Sequence, residues 1–256
     1  MARTRGVLLD LDGTVYEDDA PLPGAAAAIA SLRAAGIGVR FVTNTTRVPR
    51  ETMAGWLEGF GVPTAAGDIF TPARAAAACL AERGRRRVAV CLPRACHPDF
   101  AAFEIVDREP EAVVIGDLGS GWTFEVMNRV FRWLRAGADF LALHRNRYWK
   151  TGGELVLDVG SFVAAFEHAT GREATLVGKP SRPLFEAAAR SMGLGLEEVA
   201  MVGDDLRADV AGSQALGIRA VLVRTGNSRN ADLETSGVVP DAILDSLADL
   251  PDRLGG

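Results

Sequence analysis

The chain has 256 residues, 48% of them hydrophobic and 24% charged, with a formal net charge of -5. That is enough chain for one large α/β domain or two smaller ones with a proper core, and the mildly acidic balance excludes a nucleic-acid footprint. No apolar run nears the roughly 20 residues of a membrane span, which excludes a membrane partner of the spanning kind.

Cys79, Cys91 and Cys96 have no Cys-x-x-Cys spacing, and no signal sequence precedes the first apolar run. They read as reduced thiols of a cytoplasmic protein. The dense basic run Arg85-Arg86-Arg87 is narrow enough to be a solvated turn before the next strand. Cations are otherwise almost all arginine: Lys150 and Lys179 are the two lysines among 28 Lys plus Arg.

Val7-Leu8-Leu9 is too short for a helix and reads as a strand buried on both faces, ending in Asp10 and Asp12, with Gly13 permitting a sharp turn. A polar, proline-bearing loop, Glu17 to Gly24, leads to an alanine-rich helix over Ala25 to Ala35, closed by Gly36. Gly38 to Val42 is a second strand, running straight into Thr43-Asn44-Thr45-Thr46. A helix with Met53, Trp56, Leu57 and Phe60 on one side spans Arg50 to Phe60. Another spans Pro72 to Gly84.

From Val88 the alternation restarts as in a second sheet: strands at Val88 to Leu92, Ala112 to Ile115 and Phe140 to Leu143, and an amphipathic helix over Phe124 to Leu134. Arg145 to Gly153 is expected to be a loop rich in cations, aromatics and glycine, of the kind that binds ligands. The first domain is expected to resume at the strand Ala174 to Val177, which leads into Gly178-Lys179-Pro180. A helix over Pro183 to Met192 follows, then a strand Val199 to Val202 ending in Gly203-Asp204-Asp205, a helix Leu206 to Leu216, and a strand Ile218 to Val223. The chain closes with Ala242 to Leu244 and a short helix within Ser246 to Leu254.

Alternating strands and helices predict α/β architecture: a doubly wound, Rossmann-like parallel sheet with an inserted smaller α/β cap domain. The expected division is a core of 1–73 and 176–256 and an insert of 74–175.

Four core strands or their exits carry Asp10/Asp12, Thr43/Asn44, Lys179 and Asp204/Asp205/Asp209. Each alone is an ordinary turn or cap residue; the weight lies in their joint occurrence at one sheet edge. There Asp10 and Asp204 repel each other unless a cation lies between them, and an oxygen-only set with no His or Cys points to Mg²⁺. With Lys179, the Thr43 hydroxyl and the Asn44 backbone N–H, the edge suits a phosphoryl group.

In order along the chain, Asp10-Leu11-Asp12-Gly13-Thr14, Thr43-Asn44, Gly178-Lys179-Pro180 and Gly203-Asp204-Asp205 with Asp209 resemble motifs one to four of the haloacid dehalogenase superfamily of phosphatases. The long interval between motifs two and three places the cap as in the class of NagD-type and 4-nitrophenyl phosphatases. Arg147-Tyr148-Trp149-Lys150, Leu155 to Gly160 and Val177 to Pro180 further resemble the phospholysine phosphohistidine inorganic pyrophosphate phosphatases and their hydrolase-domain relatives. In that pattern Ser often stands where this chain has Asp12.

The resemblance implies catalysis by Asp10 as nucleophile and Asp12 as general acid and base. It implies a Mg²⁺ ion on Asp10, the Asp12 carbonyl and Asp204, with substrate held by Thr43, Asn44 and Lys179. The substrate implied is a small phosphorylated molecule, pyrophosphate or an N-phosphorylated amine; a broad phosphomonoesterase for nucleotides or sugar phosphates is the alternative. A phospho-accepting signalling module also groups aspartates and a lysine at a sheet edge, but Asp12 and the large insertion count against it, and the retained reactive groups count against an inert scaffold.

A homodimer is compatible with the family. Asp209 is either a helix-terminal charge or a residue orienting Lys179 or a metal-bound water. His144 is either packed or a ligand contact. The cap loop Arg145 to Lys150 is the candidate for choosing substrate, whereas Trp122, Phe131, Trp133 and Cys91 are expected in the core.

Overall fold

The computed structural model describes residues 4–151, 154–226, 233 and 236–254. The chain divides into two compact units, one of residues 1–43, 50–70 and 179–256, the other of 44–49 and 71–178.

The first unit is built on six parallel strands in the spatial order Ala242–Leu244, Arg219–Val223, Val199–Gly203, Gly6–Leu9, Gly38–Val42 and Ile69–Phe70. Numbered along the chain this is 3-2-1-4-5-6 read from the Ile69 edge, the classical doubly wound order. The order reverses between Gly6–Leu9 and Val199–Gly203, so the crevice for a ligand opens where those two strands end. Val7, Leu8 and Leu9 are wholly buried, as a central parallel strand requires. Register pairs Leu9 with both Val202 and Phe41, and the Asp10 N–H carries the ladder one step further, donating to the Val202 carbonyl at 2.9 Å. The helix Ala25–Ala34 buries Ala25, Ala28, Ile29 and Leu32 at helical spacing, the two large residues contributing about 1.5–3 kcal/mol each.

The second unit carries five parallel strands in the order Thr175–Leu176, Asp139–Ala142, Ala112–Ile115, Arg87–Cys91 and Glu104–Ile105. Alternate residues feed two cores. Ala89, Cys91, Val113, Ile115 and Phe140 pack beneath the helices Phe124–Arg135 and Val159–Thr170, while Val88, Ala112, Val114 and Leu141 meet the helix Pro72–Glu82. The expected core residues Trp122, Phe131 and Trp133 pack half-buried against the first of these, and burial pushes the Cys91 thiol up to about 12. Thr71, Thr123 and Asp158 cap the three helices through their side chains.

Four expectations need correction. The strand before Lys179 does not resume the first sheet: Thr175–Leu176 pairs with Leu141 and Ala142 in the inserted sheet, because the helix Val159–Thr170, stopped at Gly171 with φ 67°, returns the chain beside the strand it left. Part of the expected loop after Arg145, Tyr148–Thr151, is a strand paired antiparallel with Glu154–Leu157; aromatic and branched side chains favour strand there. Gly152 and Gly153, the end of that expected loop, lie outside the described residues. Glu17 to Gly24 is also partly paired, Tyr16–Glu17 against Ala20–Pro21. The expected helix Leu206 to Leu216 begins as a π-helical turn, Leu206–Ala211, before the α-helical turn Gly212–Gln214.

Candidate active site

Asp10 and Asp204 sit at the carboxyl ends of the two strands that flank the reversal of strand order. Both are buried, 8% and 1% exposed, and the wholly buried Asp209 joins them from the π-helical turn. One carboxylate oxygen of each lies within 4.8 Å of the others. Lys179 Nζ stands 2.7 Å from Asp10 Oδ1 and 2.7 Å from Asp209 Oδ1. Asp10 Oδ1 also accepts the Leu11 N–H at 2.8 Å, which fixes the carboxylate's orientation. The lysine thus binds two carboxylates that are far apart in sequence.

The electrostatics of this cluster do not balance internally. Burial would lower the Lys179 ammonium, but Asp10 and Asp209 raise it above its ordinary value, so it stays charged. Burial first, then the Asp10 charge, raises Asp209 well above the usual carboxylate range in spite of the lysine. Three buried carboxylates against one ammonium leave negative charge that a proton or a bound cation must offset. Glycines make the room: a Cβ on Gly13, which has φ +74°, would stand 2.7 Å from Asp204 Oδ2, and Cβ atoms on Gly226 and Gly203 would overlap the carboxylates of Asp204 and Asp209. An oxygen-only donor set with excess negative charge in such a cradle fits a hard divalent cation.

Asp12 behaves differently. It keeps a solvent-exposed side chain, yet the protein around it, then Asp10, Asp18 and Glu17, push its carboxyl up to about 6. Its loop is held by Gly13 N–H donating to the Tyr16 carbonyl at 2.7 Å and by the Thr225 hydroxyl donating to the Gly13 carbonyl at 2.6 Å. Tyr16 is a residue that sequence reading passed over. Its ring packs against Trp56 and Phe60, and burial, then Asp12 and Asp10, raise its phenol.

Thr43 is buried at the end of its strand and its N–H donates to the Phe70 carbonyl at 3.2 Å. Asn44 opens the segment grouped with the second unit, where its Oδ1 lies against Gly178. Asp205 is spent on capping, its Oδ1 accepting the Arg207 and Ala208 N–H groups at 2.7 and 2.9 Å. In the second unit His144 is packed, 3% exposed, with Nε2 3.7 Å from Asp158 Oδ1. Arg145 pairs with Glu167 at 2.6 Å, and Arg147 is exposed. Of the two readings of Asp209, the structure has the one in which it pairs with Lys179, whereas nothing in the motif spacing pointed to Gly226.

Comparison with known proteins agrees with this geometry. A haloacid dehalogenase-like hydrolase family model matches residues 7–105, and a HAD-hydrolase-like model matches 176–250. The chain is 38% identical over 250 residues to haloacid dehalogenase-like hydrolase domain-containing protein 2 of Bos taurus, covering 98% of this chain and 95% of that protein. It is 36% identical over 263 residues to phospholysine phosphohistidine inorganic pyrophosphate phosphatase of Bos taurus, covering 99% and 95%. Among solved structures, 4-nitrophenylphosphatase from Thermotoga maritima superposes with a TM-score of 0.92 at 29% identity, covering 98% of this chain and 97% of that one. NagD from E. coli K-12 gives 0.87 at 27% identity, covering 96% and 98%. The chain belongs to the haloacid dehalogenase superfamily, as a phosphatase of the NagD and 4-nitrophenylphosphatase type.

Proposed function

We propose that this phosphatase is Mg²⁺-dependent and works through an aspartyl phosphate on Asp10, with pyrophosphate or an N-phosphorylated amine as substrate. The observation that carries the reading is the Asp10–Lys179–Asp209 cluster with Asp204, buried charge converging where two parallel strands end. Asp10, Asp204 and the Asp12 carbonyl would hold the ion, which when bound polarises the phosphoryl oxygens and draws them onto the nucleophile.

Asp10, oriented by Lys179 and the Leu11 N–H, attacks phosphorus while the bond to the leaving atom breaks. Asp12 gives that atom its proton; a carboxyl titrating at about 6 can do so near neutrality and then act as a base. In the second half, a water attacks phosphorus, Asp12 takes its proton, and the Asp10 carboxylate leaves. Lys179 offsets charge on the transferring group. Thr43 and Asn44 are the proposed partners of the phosphoryl oxygens. Asp209 holds Lys179 in place.

The relative named as a phospholysine phosphohistidine inorganic pyrophosphate phosphatase supports the substrate class, and the 4-nitrophenylphosphatases support the broad phosphomonoesterase as the second reading. Phosphate release from pyrophosphate, phospholysine, phosphohistidine, nucleotides, sugar phosphates and 4-nitrophenyl phosphate, with Mg²⁺ and with EDTA, tests this. Turnover confined to Mg²⁺, with an acid-trapped phospho-enzyme, is expected. Full activity in EDTA removes the metal from the scheme, and turnover spread evenly over the panel favours the broad enzyme.

A further inference from the structure

The turn that follows Asp10 uses its backbone oxygens unevenly. The Leu11 carbonyl accepts the N–H groups of Thr14, Val15 and Tyr16 at 3.2, 2.8 and 3.2 Å. The carbonyl of buried Gly13 accepts the Thr225 hydroxyl at 2.6 Å. Between them, the Asp12 carbonyl accepts no hydrogen bond among the described residues. Thr14 has the nearer hydroxyl in sequence, but it is wholly buried and its Oγ1 has no hydrogen-bond partner among the described residues. The donor at this turn therefore comes from the far end of the chain.

Gly13 is where the turn can move. It has φ +74° and no Cβ, so the peptides on either side of it rotate at little steric cost unless something holds them. The Asp12 carbonyl and the Gly13 N–H belong to one planar peptide and point opposite ways. The Gly13 N–H donates to the Tyr16 carbonyl at 2.7 Å, which aims the Asp12 carbonyl outward, and Thr225 holds the next peptide. Thr225 is itself firmly mounted, two residues beyond the strand Arg219–Val223. Before it, the Arg224 N–H donates to the Leu244 carbonyl at 3.1 Å. After it, Gly226 comes so close that a Cβ on Gly13 would stand 3.0 Å from its Cα, and a Cβ on Gly226 would overlap the Asp204 carboxylate. One short segment thus lies against both the Asp12 turn and Asp204.

We propose that Thr225 is a positioning residue: its hydroxyl pins the Gly13 carbonyl, so that the Asp12 carbonyl and not its neighbour is presented to the cation. The inference rests on the Mg²⁺-dependent reading and adds a residue to it. Thr225 acts through Gly13 and takes no part in the bond changes. A hydroxyl that served only to hold the loop together would stabilise the fold and leave cation affinity and kcat alone.

The test compares Thr225→Val, which keeps the shape and removes the donor, with Thr225→Ser, which keeps the donor. Both are measured by calorimetric titration with Mg²⁺ and by turnover of 4-nitrophenyl phosphate. Loss of the one hydrogen bond should raise the Mg²⁺ Kd of Thr225→Val about three- to tenfold. At saturating Mg²⁺ its kcat should fall by a similar factor with KM little changed, since the Asp12 carboxyl is carried on the same turn; serine should restore both. Should valine prevent folding, Thr225→Ala carries the same comparison. Arg224→Gln breaks the exposed Arg224–Asp245 pair of 3.2 Å on the same segment and should change neither quantity. An unchanged Kd in Thr225→Val, a serine variant as impaired as the valine one, or an equal rise in Arg224→Gln overturns the inference. If wild type binds no Mg²⁺ and is fully active in EDTA, the metal reading falls instead. The kcat values in EDTA then decide whether Thr225 positions Asp12: a deficit in valine restored by serine upholds it, and equal values overturn it.

Discussion

The molecule contains two doubly wound parallel sheets, and their carboxyl edges have been put to different uses. At the edge of the six-stranded sheet, Asp10, Asp204 and Asp209 crowd around a single lysine. Beyond the edge of the five-stranded sheet, polar groups also gather, but each acid there has a backbone N–H and a basic side chain of its own. Asp117 accepts the Gly119 N–H at 2.8 Å and faces Arg47 at 3.6 Å, while Asp158 caps its helix at 2.7 Å and contacts His144. The same topology therefore does not confer the same chemistry; an excess of buried charge with room for a cation distinguishes the reactive edge.

The sharpest way to break that contrast is Asp10→Asn. Turnover of 4-nitrophenyl phosphate should fall on the order of 10³-fold or more with an unchanged circular dichroism spectrum; residual activity near wild type would remove the nucleophile. Lys179→Met comes next. It strands two buried carboxylates, and urea unfolding without metal should show a loss of about 3–5 kcal/mol. In the other unit, Arg85→Met breaks the partly buried Arg85–Asp139 pair of 2.8 Å while Arg83 remains on Asp139, and should cost far less. Equal losses at the two positions would mean that the core cluster is not electrostatically special.

The last effect belongs to Asp158, whose carboxyl is pushed up to about 6, chiefly by burial, with Asp117 adding to it and the Val159 N–H and Arg47 opposing it. Its folded value lies above its unfolded one, so the folded state holds the proton more tightly. The stability this confers is complete below pH 3.8 and disappears as the pH rises through about 6. Relative to Asp158→Asn, wild type should therefore lose up to about 3 kcal/mol on going from about pH 4 to about pH 7. A constant difference across that range would show that Asp158 titrates normally.

Much of the fold is legible in local pattern. Val7 to Leu9, Ala112 to Ile115 and Val199 to Val202 are apolar on consecutive positions because parallel strands are covered on both faces. Residues that emerge from such strands, Asp10 and Asp204 above all, declare themselves by being charged where the chain has just been buried. Local pattern fails where a short segment could join either sheet, as Thr175–Leu176 could, since two residues carry no record of their neighbour. It fails again at Tyr148–Thr151, part of the cation-rich stretch Arg145 to Gly153 that reads as a loop, because its pairing with Glu154–Leu157 is set beyond that stretch.

By itself the sequence determined the chemistry on offer: which residue types stand at strand ends, in what order, and how scarce lysine is. Only the tertiary structure decided which of these groups share a field. Asp209 became the partner of Lys179, Asp205 a helix cap, and Gly226 the space beside Asp204. The physical reason is range: propensity and periodicity act over a few residues, whereas charge and excluded volume act across any chain separation that folding brings within a few ångströms.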